Sequence, residues 1–315
     1  MSKLTILVTG SQGATGSYLV EQLAQKTSVG KIIRIARSGL ALPASEKPGE
    51  VTYLGDLLDQ DFCRKIFYEN NIDVIIFCAA KWNGINEDPL VFNVNLNMFS
   101  NVLFAESSKP KHFIFLSSSA VYSENDFSDG VDLIKAPIST YGKSKYLSEL
   151  LLKHKAHVDK FTYTIYRPFH IMSAREPYCP GRSHVTTDFV HRYVDLNRDF
   201  DWSSFSDIPS IPFSWAPDLT DAIVQNIDND GCMNETYNIG SKASFSVYDL
   251  ALSIARTAHV FGLSEHETFK GQEPGKEKMN GFFTKLSSDG GSMPLRSLDE
   301  MVFMFLKERY GVIDG

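Results

Sequence analysis

Short apolar runs alternate with helically spaced apolar residues through the first half of the chain. Leu4-Thr-Ile-Leu-Val8, Lys31-Ile-Ile-Arg-Ile-Ala36, Val51-Thr-Tyr-Leu-Gly-Asp56, Val74-Ile-Ile-Phe-Cys-Ala-Ala80, His112-Phe-Ile-Phe-Leu116 and Thr162-Tyr-Thr-Ile-Tyr166 are rich in β-branched and aromatic residues. Such runs suit strands of a parallel sheet covered on both faces. Between them, Tyr18, Leu19, Val20, Leu23 and Ala24 recur at helical spacing. Residues 93–106 and the stretch from Tyr141 to just before Asp159 also read as helices, and another begins near Asp59. The alternation predicts an α/β, doubly wound parallel sheet. Arg167-Pro168 is expected to break the sixth strand.

Beyond Ile171 the character changes, with Pro177, Pro180, Pro209, Pro212 and Pro217 punctuating short segments. Helical patterns cover 185–196, 247–258 and 298–310, and Thr236-Tyr-Asn-Ile-Gly240 reads as a strand. The expected division is a nucleotide-binding region over 1–170 and a smaller, irregular α/β substrate-binding region over 171–315, with some segments returning to the first.

The first strand runs into Thr9-Gly-Ser-Gln-Gly-Ala-Thr-Gly16 and then a helix. In a strand–turn–helix unit, Gly10 permits the tight turn, Gly13 lets backbone approach a pyrophosphate, and Gly16 allows close helix packing. The helix N-terminus offers free N–H groups to the anion. Gly10, Gln12, Gly13, Ala14, Thr15 and Gly16 are therefore candidate contacts of a dinucleotide in a Rossmann-like sheet. The second strand, ending at Ala36, is followed by Arg37 and Ser38, where an acidic residue would grip the ribose of NAD. A guanidinium and a hydroxyl suit a 2′-phosphate, so NADP is expected, with NAD as the alternative. Asp56, followed by Leu57, either accepts from an adenine amino group or caps the next helix. Ala79 and Ala80 are small enough to leave room for a cofactor.

In Tyr141-Gly-Lys-Ser-Lys145 a phenol and an ammonium share one helix face. Drawing a phenol from near pH 10 to neutrality asks for roughly three units, about 4 kcal/mol. A neighbouring lysine charge supplies part of that, and a cationic nicotinamide more, because both favour the phenolate.

Composition narrows the partners. The 315 residues are 43% apolar and 22% charged with a net charge of −7, which argues against nucleic acid or an anionic membrane as a main partner. The four cysteines form no Cys-x-x-Cys pair, the chain starts with no signal-peptide pattern, and no apolar run nears the roughly 18 residues of a spanning helix. A cytoplasmic protein is expected. His184 and His191 lie seven apart without a third ligand at sensible spacing, so surface or substrate-pocket histidines are expected rather than a metal site. Trp82 and Trp215 either wall a substrate or pack.

The glycine turn, Gly55-Asp56-Leu57, Ala79-Ala80, Asn95, Ser117-Ser-Ser-Ala-Val-Tyr122, Tyr141-x-x-x-Lys145, Arg167-Pro168, Trp215-Ala-Pro-Asp-Leu-Thr-Asp-Ala222 and Tyr237-Asn-Ile-Gly240 form an ordered set. It resembles the extended short-chain dehydrogenase/reductase family, in particular its sugar-nucleotide epimerases and reductases, over nearly the whole chain. The resemblance implies that Tyr141 and Lys145 are catalytic, with Ser118 as the partner hydroxyl and Ser119 next in line. It places Ser117 and the segment Pro168 to Ile171, including His170, beside the cofactor. Lys81, Trp82, Ser119, Tyr122 and Arg182 are the candidate substrate contacts. It also suggests a homodimer through two helices of the nucleotide region.

Where the family's 4,6-dehydratases carry an Asp-Glu pair, this chain has Ser119-Ala120, so no acid/base pair serves an elimination. Hydride transfer at one carbinol or carbonyl carbon remains. With Arg37 implying NADP, a keto-sugar-nucleotide reductase is expected first and a nucleotide-sugar 4-epimerase second. A non-catalytic NADP-binding sensor or scaffold is the alternative of another class.

Overall fold

Thr9, the last residue of the first strand, shows how the sheet is joined to its turn. In the computed structural model, its Oγ1 accepts from Cys78 N and Ala79 N, both at 3.2 Å. The structure describes residues 3–37, 49–82, 84, 87–105, 110–123, 137–198, 210–241, 243–264, 278–279, 286, 289 and 296–312.

Seven strands form one parallel sheet: β1 (Leu4–Thr9), β2 (Val29–Ala36), β3 (Glu50–Leu54), β4 (Val74–Phe77), β5 (His112–Leu116), β6 (Thr162–Pro168) and, from the C-terminal half, Glu235–Ile239. Their order, β3-β2-β1-β4-β5-β6 and then Glu235–Ile239, reverses direction between β1 and β4. In open α/β sheets a crevice forms outside the carboxyl ends of the strands at such a reversal.

Successive strand residues point to opposite faces, so each apolar run feeds two cores. On one face Ile6, Val8, Ile32, Ile76 and Ile114 pack against Leu19 and Leu23 of α1 (Gly16–Leu23) and Leu219 and Ile223. On the other, Leu7, Ile33, Ile75, Phe77, Phe113 and Phe115 meet α2 (Gln60–Glu69), α3 (Pro89–Leu103) and α4 (Thr140–Asp159). A third core lies in the C-terminal half. There Met172 of β7 (Ile171–Met172), Phe189 of α5 (Val185–Val190) and Trp215 of β8 (Ser214–Trp215) meet α7 (Val247–Val260) and α8 (Leu298–Tyr310). The intervening α6 (Ala216–Gln225) packs on α1, and Glu235–Ile239 is β9.

Some local expectations are corrected. β6 runs through Arg167-Pro168, which pair with Asn238 and Ile239 of β9. A proline at the end of a strand is tolerated there, and the next donor, Phe169 N, reaches Ile239 O at 2.9 Å. β4 stops at Phe77, because the following N–H groups turn to Thr9. α3 begins at Pro89, capped by Asp88, so its first turn precedes the apolar periodicity. α2 is capped by Asp59, while Asp56 accepts from Leu58 N in a local turn. The helix expected over 185–196 is α-helical only to Val190 and continues as a π-turn over His191–Asp195. Trp215 is buried between Tyr18 and Phe305 and packs rather than walling a substrate. Among the described residues no helix is long and apolar enough to cross a membrane.

His112 opens β5 buried, with Nδ1 at 2.7 Å from Thr162 Oγ1 and Nε2 at 3.1 Å from Thr164 Oγ1. Burial pushes its imidazole down to about 4. The unfolded chain therefore takes up a proton near pH 6.5 that the folded chain refuses until about 4, and stability is lost as pH falls through that window. Urea unfolding at pH 7 and pH 5 should show a loss of about 2 kcal/mol from this group, absent in a His112→Asn variant.

Candidate active site

A cavity of about 510 Å³ opens at the carboxyl ends of the strands. Its floor is the β1–α1 turn. Gly10 has φ +65°, and a Cβ there would stand 2.9 Å from Ala79 N, while one at Gly16 would stand 2.1 Å from Gly10 O. The turn is thus drawn tight against β4 by residues that only glycine satisfies. Thr15 gives α1 no side-chain cap, leaving the helix N-terminus to the cavity that Gly13, Ala14, Thr15 and Gly16 line. A glycine-rich turn at a helix N-terminus that has no side-chain cap fits the pyrophosphate of a dinucleotide.

The second wall comes from β5 and α4. Ser118 caps a short turn over Ser119–Val121, its Oγ accepting from Ala120 N at 3.1 Å. Ser139 caps α4, accepting from Gly142 N at 3.0 Å, and Thr140 N donates to Glu87 Oε2 at 3.0 Å. A Cβ at Gly142 would lie 2.0 Å from Ala120 O, so the start of α4 rests directly on the turn that carries Ser118. This contact brings Tyr141 and Ser118 together at the cavity wall.

Lys145, one turn further on, is buried and donates from Nζ to Leu116 O at 2.7 Å. Its Nζ lies 5.7 Å from the centroid of the Tyr141 ring and 4.9 Å from that of Phe115. Burial pulls the ammonium down to about 8, opposed by Cys78 and Glu149. Burial pushes the Tyr141 phenol up to about 12, with the Ser118 hydroxyl pulling the other way. The expected lowering of Tyr141 by Lys145 is therefore not found, and desolvation dominates.

Behind this wall, Glu149 accepts from Ser117 Oγ at 2.5 Å and from Arg167 Nε at 2.9 Å and Nη2 at 2.5 Å. Arg167 Nη1 donates to the Tyr122 hydroxyl at 2.9 Å, and Tyr122 donates to Asn238 Oδ1 at 2.7 Å. The network ties α4 to the ends of β5, β6 and β9.

Most sequence-predicted residues converge. Gly10, Gly13, Ala14, Thr15, Gly16, Ala80, Ser117, Ser118, Tyr141, Lys145, Pro168, His170 and Ile171 line the cavity, as do Trp82, Ser119 and Tyr122 of the substrate set. The Tyr122 hydroxyl is already committed to Arg167 and Asn238. Gln12, Arg37, Asp56, Leu57, Ala79, Lys81 and Arg182 stand off the lining. Arg37 is exposed past β2, Leu57 is buried in the core, and Lys81 Nζ lies 3.6 Å from Asp88. Arg182 is exposed on the loop before α5. Ser38 lies outside the described residues.

Sequence reasoning missed Cys78, Glu87, Leu116, Ile138 and Ser139 at the lining, and left His184 open. Ser139 carried a readable signal, as a capping hydroxyl three residues before Gly142. The others arrive by folding alone. His170 shares the cavity, and burial together with His184 pushes its imidazole down to about 4. No group of metal-holding side chains occurs among the described residues.

Comparison with known proteins gives a consistent picture. The profile described as "Epimerase: NAD dependent epimerase/dehydratase family" matches residues 6–240. UDP-glucose 4-epimerase of Haemophilus influenzae is 32% identical over 188 residues, covering 55% of this chain and 55% of that protein. The Streptococcus mutans UDP-glucose 4-epimerase is 24% identical over 266 residues, covering 77% and 78%. The match thus spans about half the length of the first of these relatives, 55%. Among solved structures, Thermotoga maritima UDP-glucose 4-epimerase with UDP-glucose superposes with TM-score 0.78 at 22% identity, covering 98% of this chain and 100% of that one. The Thermus thermophilus UDP-glucose 4-epimerase complex with NAD gives 0.78 at 19%, covering 98% and 100%. These structural likenesses show the shared fold.

Two substitutions probe the wall. Gly142→Ala forces α4 off Ala120 O, and misplacing Tyr141 by about 1 Å should cost turnover about 100-fold in a steady-state assay. Lys145 carries a folded-state penalty that is fully present below pH 8 and disappears as pH rises toward its unfolded value of 10.5. Lys145→Met should therefore unfold later at pH 7, by about 3 kcal/mol, and this gain should shrink as pH rises and vanish only above about pH 10.5.

Proposed function

The chain belongs to the NAD dependent epimerase/dehydratase family, and from that premise we propose that it is a nucleotide-sugar 4-epimerase working with a nicotinamide dinucleotide. Family membership makes it an enzyme of the extended short-chain dehydrogenase/reductase type and sets aside the non-catalytic sensor. The reductase expected first from Arg37 yields to the epimerase, because the similar curated proteins are named as 4-epimerases.

The observation that carries the reading is one cleft holding a hydroxyl, a phenol and an ammonium beside a glycine cradle, with Ser119 and Ala120 where an elimination would need carboxylates. In this reading Gly10, Gly13 and the uncapped start of α1 hold the pyrophosphate, and Lys145 the nicotinamide ribose. The nicotinamide, when bound, supplies reversible hydride transfer at a single carbon. Tyr141 takes the proton of the sugar hydroxyl and returns it after inversion, while Ser118 holds the same oxygen. Positive charge arriving with an oxidised cofactor favours the phenolate, offsetting the burial that holds Tyr141 near 12. The nucleotide sugar is supported by the Thermotoga maritima protein, whose structure was solved with UDP-glucose. A homodimer is part of the proposal, with Leu90 of α3 and Leu150 of α4 exposed at 61% and 47%.

A second reading, an NADP(H)-dependent keto-sugar reductase, is favoured by one observation: β2 is followed by an exposed Arg37 in place of an acid. Conversion of UDP-glucose to UDP-galactose with NAD⁺ separates the two. Turnover is expected, and Tyr141→Phe should reduce it by about 10²- to 10⁴-fold with cofactor affinity unchanged. Absence of epimerisation, with NADPH bound more tightly than NADH and consumed by a keto-sugar nucleotide, would put the reductase first.

A further inference from the structure

One part of the cavity wall is not used by the proton and hydride chemistry. Beside Tyr141, the Trp82 ring stands edge-on at 5.1 Å between centroids and 71° between planes. The same indole lies nearly parallel to the imidazole of His184, at 6.3 Å and 14°. Both side chains line the cavity, and His184 follows a loop far from Tyr141 in sequence.

This pair is built into the fold. The carboxylate of Glu176 accepts from His184 Nδ1 at 2.6 Å, from Thr187 Oγ1 at 2.5 Å and from His184 N at 3.3 Å to each oxygen. The Glu176 side chain is only 12% exposed, so its commitment to His184 is not an exposed contact. Gly84, two residues after Trp82, rests on Gly181, since a Cβ there would collide with Gly181 O. The segments carrying Trp82 and His184 are thereby docked on each other.

A carboxylate only accepts, so Nδ1 of His184 must carry a proton. That leaves Nε2 as the ring's other polar atom, and among the described residues no hydrogen bond ends on it. The geometry points to Trp82 and His184 as the surface that reads the sugar, a pyranose face lying on the indole and one of its hydroxyls hydrogen-bonding to Nε2 of His184. The inference rests on the nucleotide-sugar reading above and makes His184 a specificity-determining residue, with Glu176 positioning it. The ligand class is an uncharged pyranose with a free hydroxyl. An aromatic wall with a few placed polar groups is the usual construction of a selective small-molecule site.

The test is calorimetric titration of the full chain, supplied with saturating NADH, against UDP, UDP-glucose and UDP-N-acetylglucosamine. His184→Phe keeps a ring against Trp82 and removes the nitrogens. It should weaken at least one of the UDP-sugars about tenfold and leave UDP within about twofold, as expected for one lost hydrogen bond to a desolvated group. If His184→Phe does not fold, His184→Ala carries the same expectation. Equal weakening of UDP and UDP-sugars, or no weakening, overturns the inference and leaves the nucleotide-sugar reading standing. A wild-type protein to which neither sugar adds affinity over UDP also overturns it. Failure of the wild-type protein to bind UDP or either sugar overturns both.

Discussion

Desolvation of the Tyr141–Lys145 pair is the constraint on which the site depends. Packing α4 onto the Ser118 turn through Gly142 buries both groups, and burial favours the uncharged form of each. The phenol moves up to about 12 and the ammonium down to about 8. The charge state that the proposed chemistry needs, phenolate beside ammonium, is thus the one that burial by the chain disfavours. A charge brought in by the cofactor has a large effect in such surroundings, because the effective dielectric is low. In this account the chain holds the pair in place and the cofactor completes its electrostatics.

The backbone around the pair is tied together by buried side-chain bonds. Glu149 and Arg167 form a bidentate buried ion pair whose remaining hydrogen-bonding capacity is met by Ser117 and Tyr122. Buried pairs of this kind are weak evidence for stability, since desolvation offsets much of their attraction. Their geometric effect is clearer. With Glu149 on the same helix as Lys145, the network locks α4 to the ends of β5 and β6, between which Ser117 and Pro168 meet the cavity. On the opposite side, Gly10 seats the β1–α1 turn against Ala79, and Gly16 seats the start of α1 against Gly10. The cleft is therefore held by backbone contacts that tolerate only small residues.

What was legible in the sequence follows from the range of the forces involved. The buried strands announced themselves as apolar runs because each is covered on both faces, and the glycine turn because its sterics are local. Tyr141 and Lys145 were readable because helix spacing fixes a shared face. Arg167-Pro168 misled, because local propensity opposed a strand that pairing with β9 sustains. The direction of the Tyr141 shift was also misjudged: proximity of a lysine is visible in sequence, but the burial that outweighs it is a tertiary property. Glu176 and His184 meeting Trp82 depends on two loops docking at Gly84 and Gly181, which no local pattern encodes. Leu57 and Lys81 were drawn into the site by position alone, whereas packing and Asp88 engage them elsewhere.

The most direct measurement is an ultraviolet difference titration of tyrosinate formation, wild type against Tyr141→Phe, with and without saturating NAD⁺. The account predicts that Tyr141 ionises far above the ordinary tyrosine range in the free protein and shifts toward neutrality when NAD⁺ is bound. A Tyr141 that titrates normally in the free protein, or whose ionisation is indifferent to NAD⁺, would contradict it.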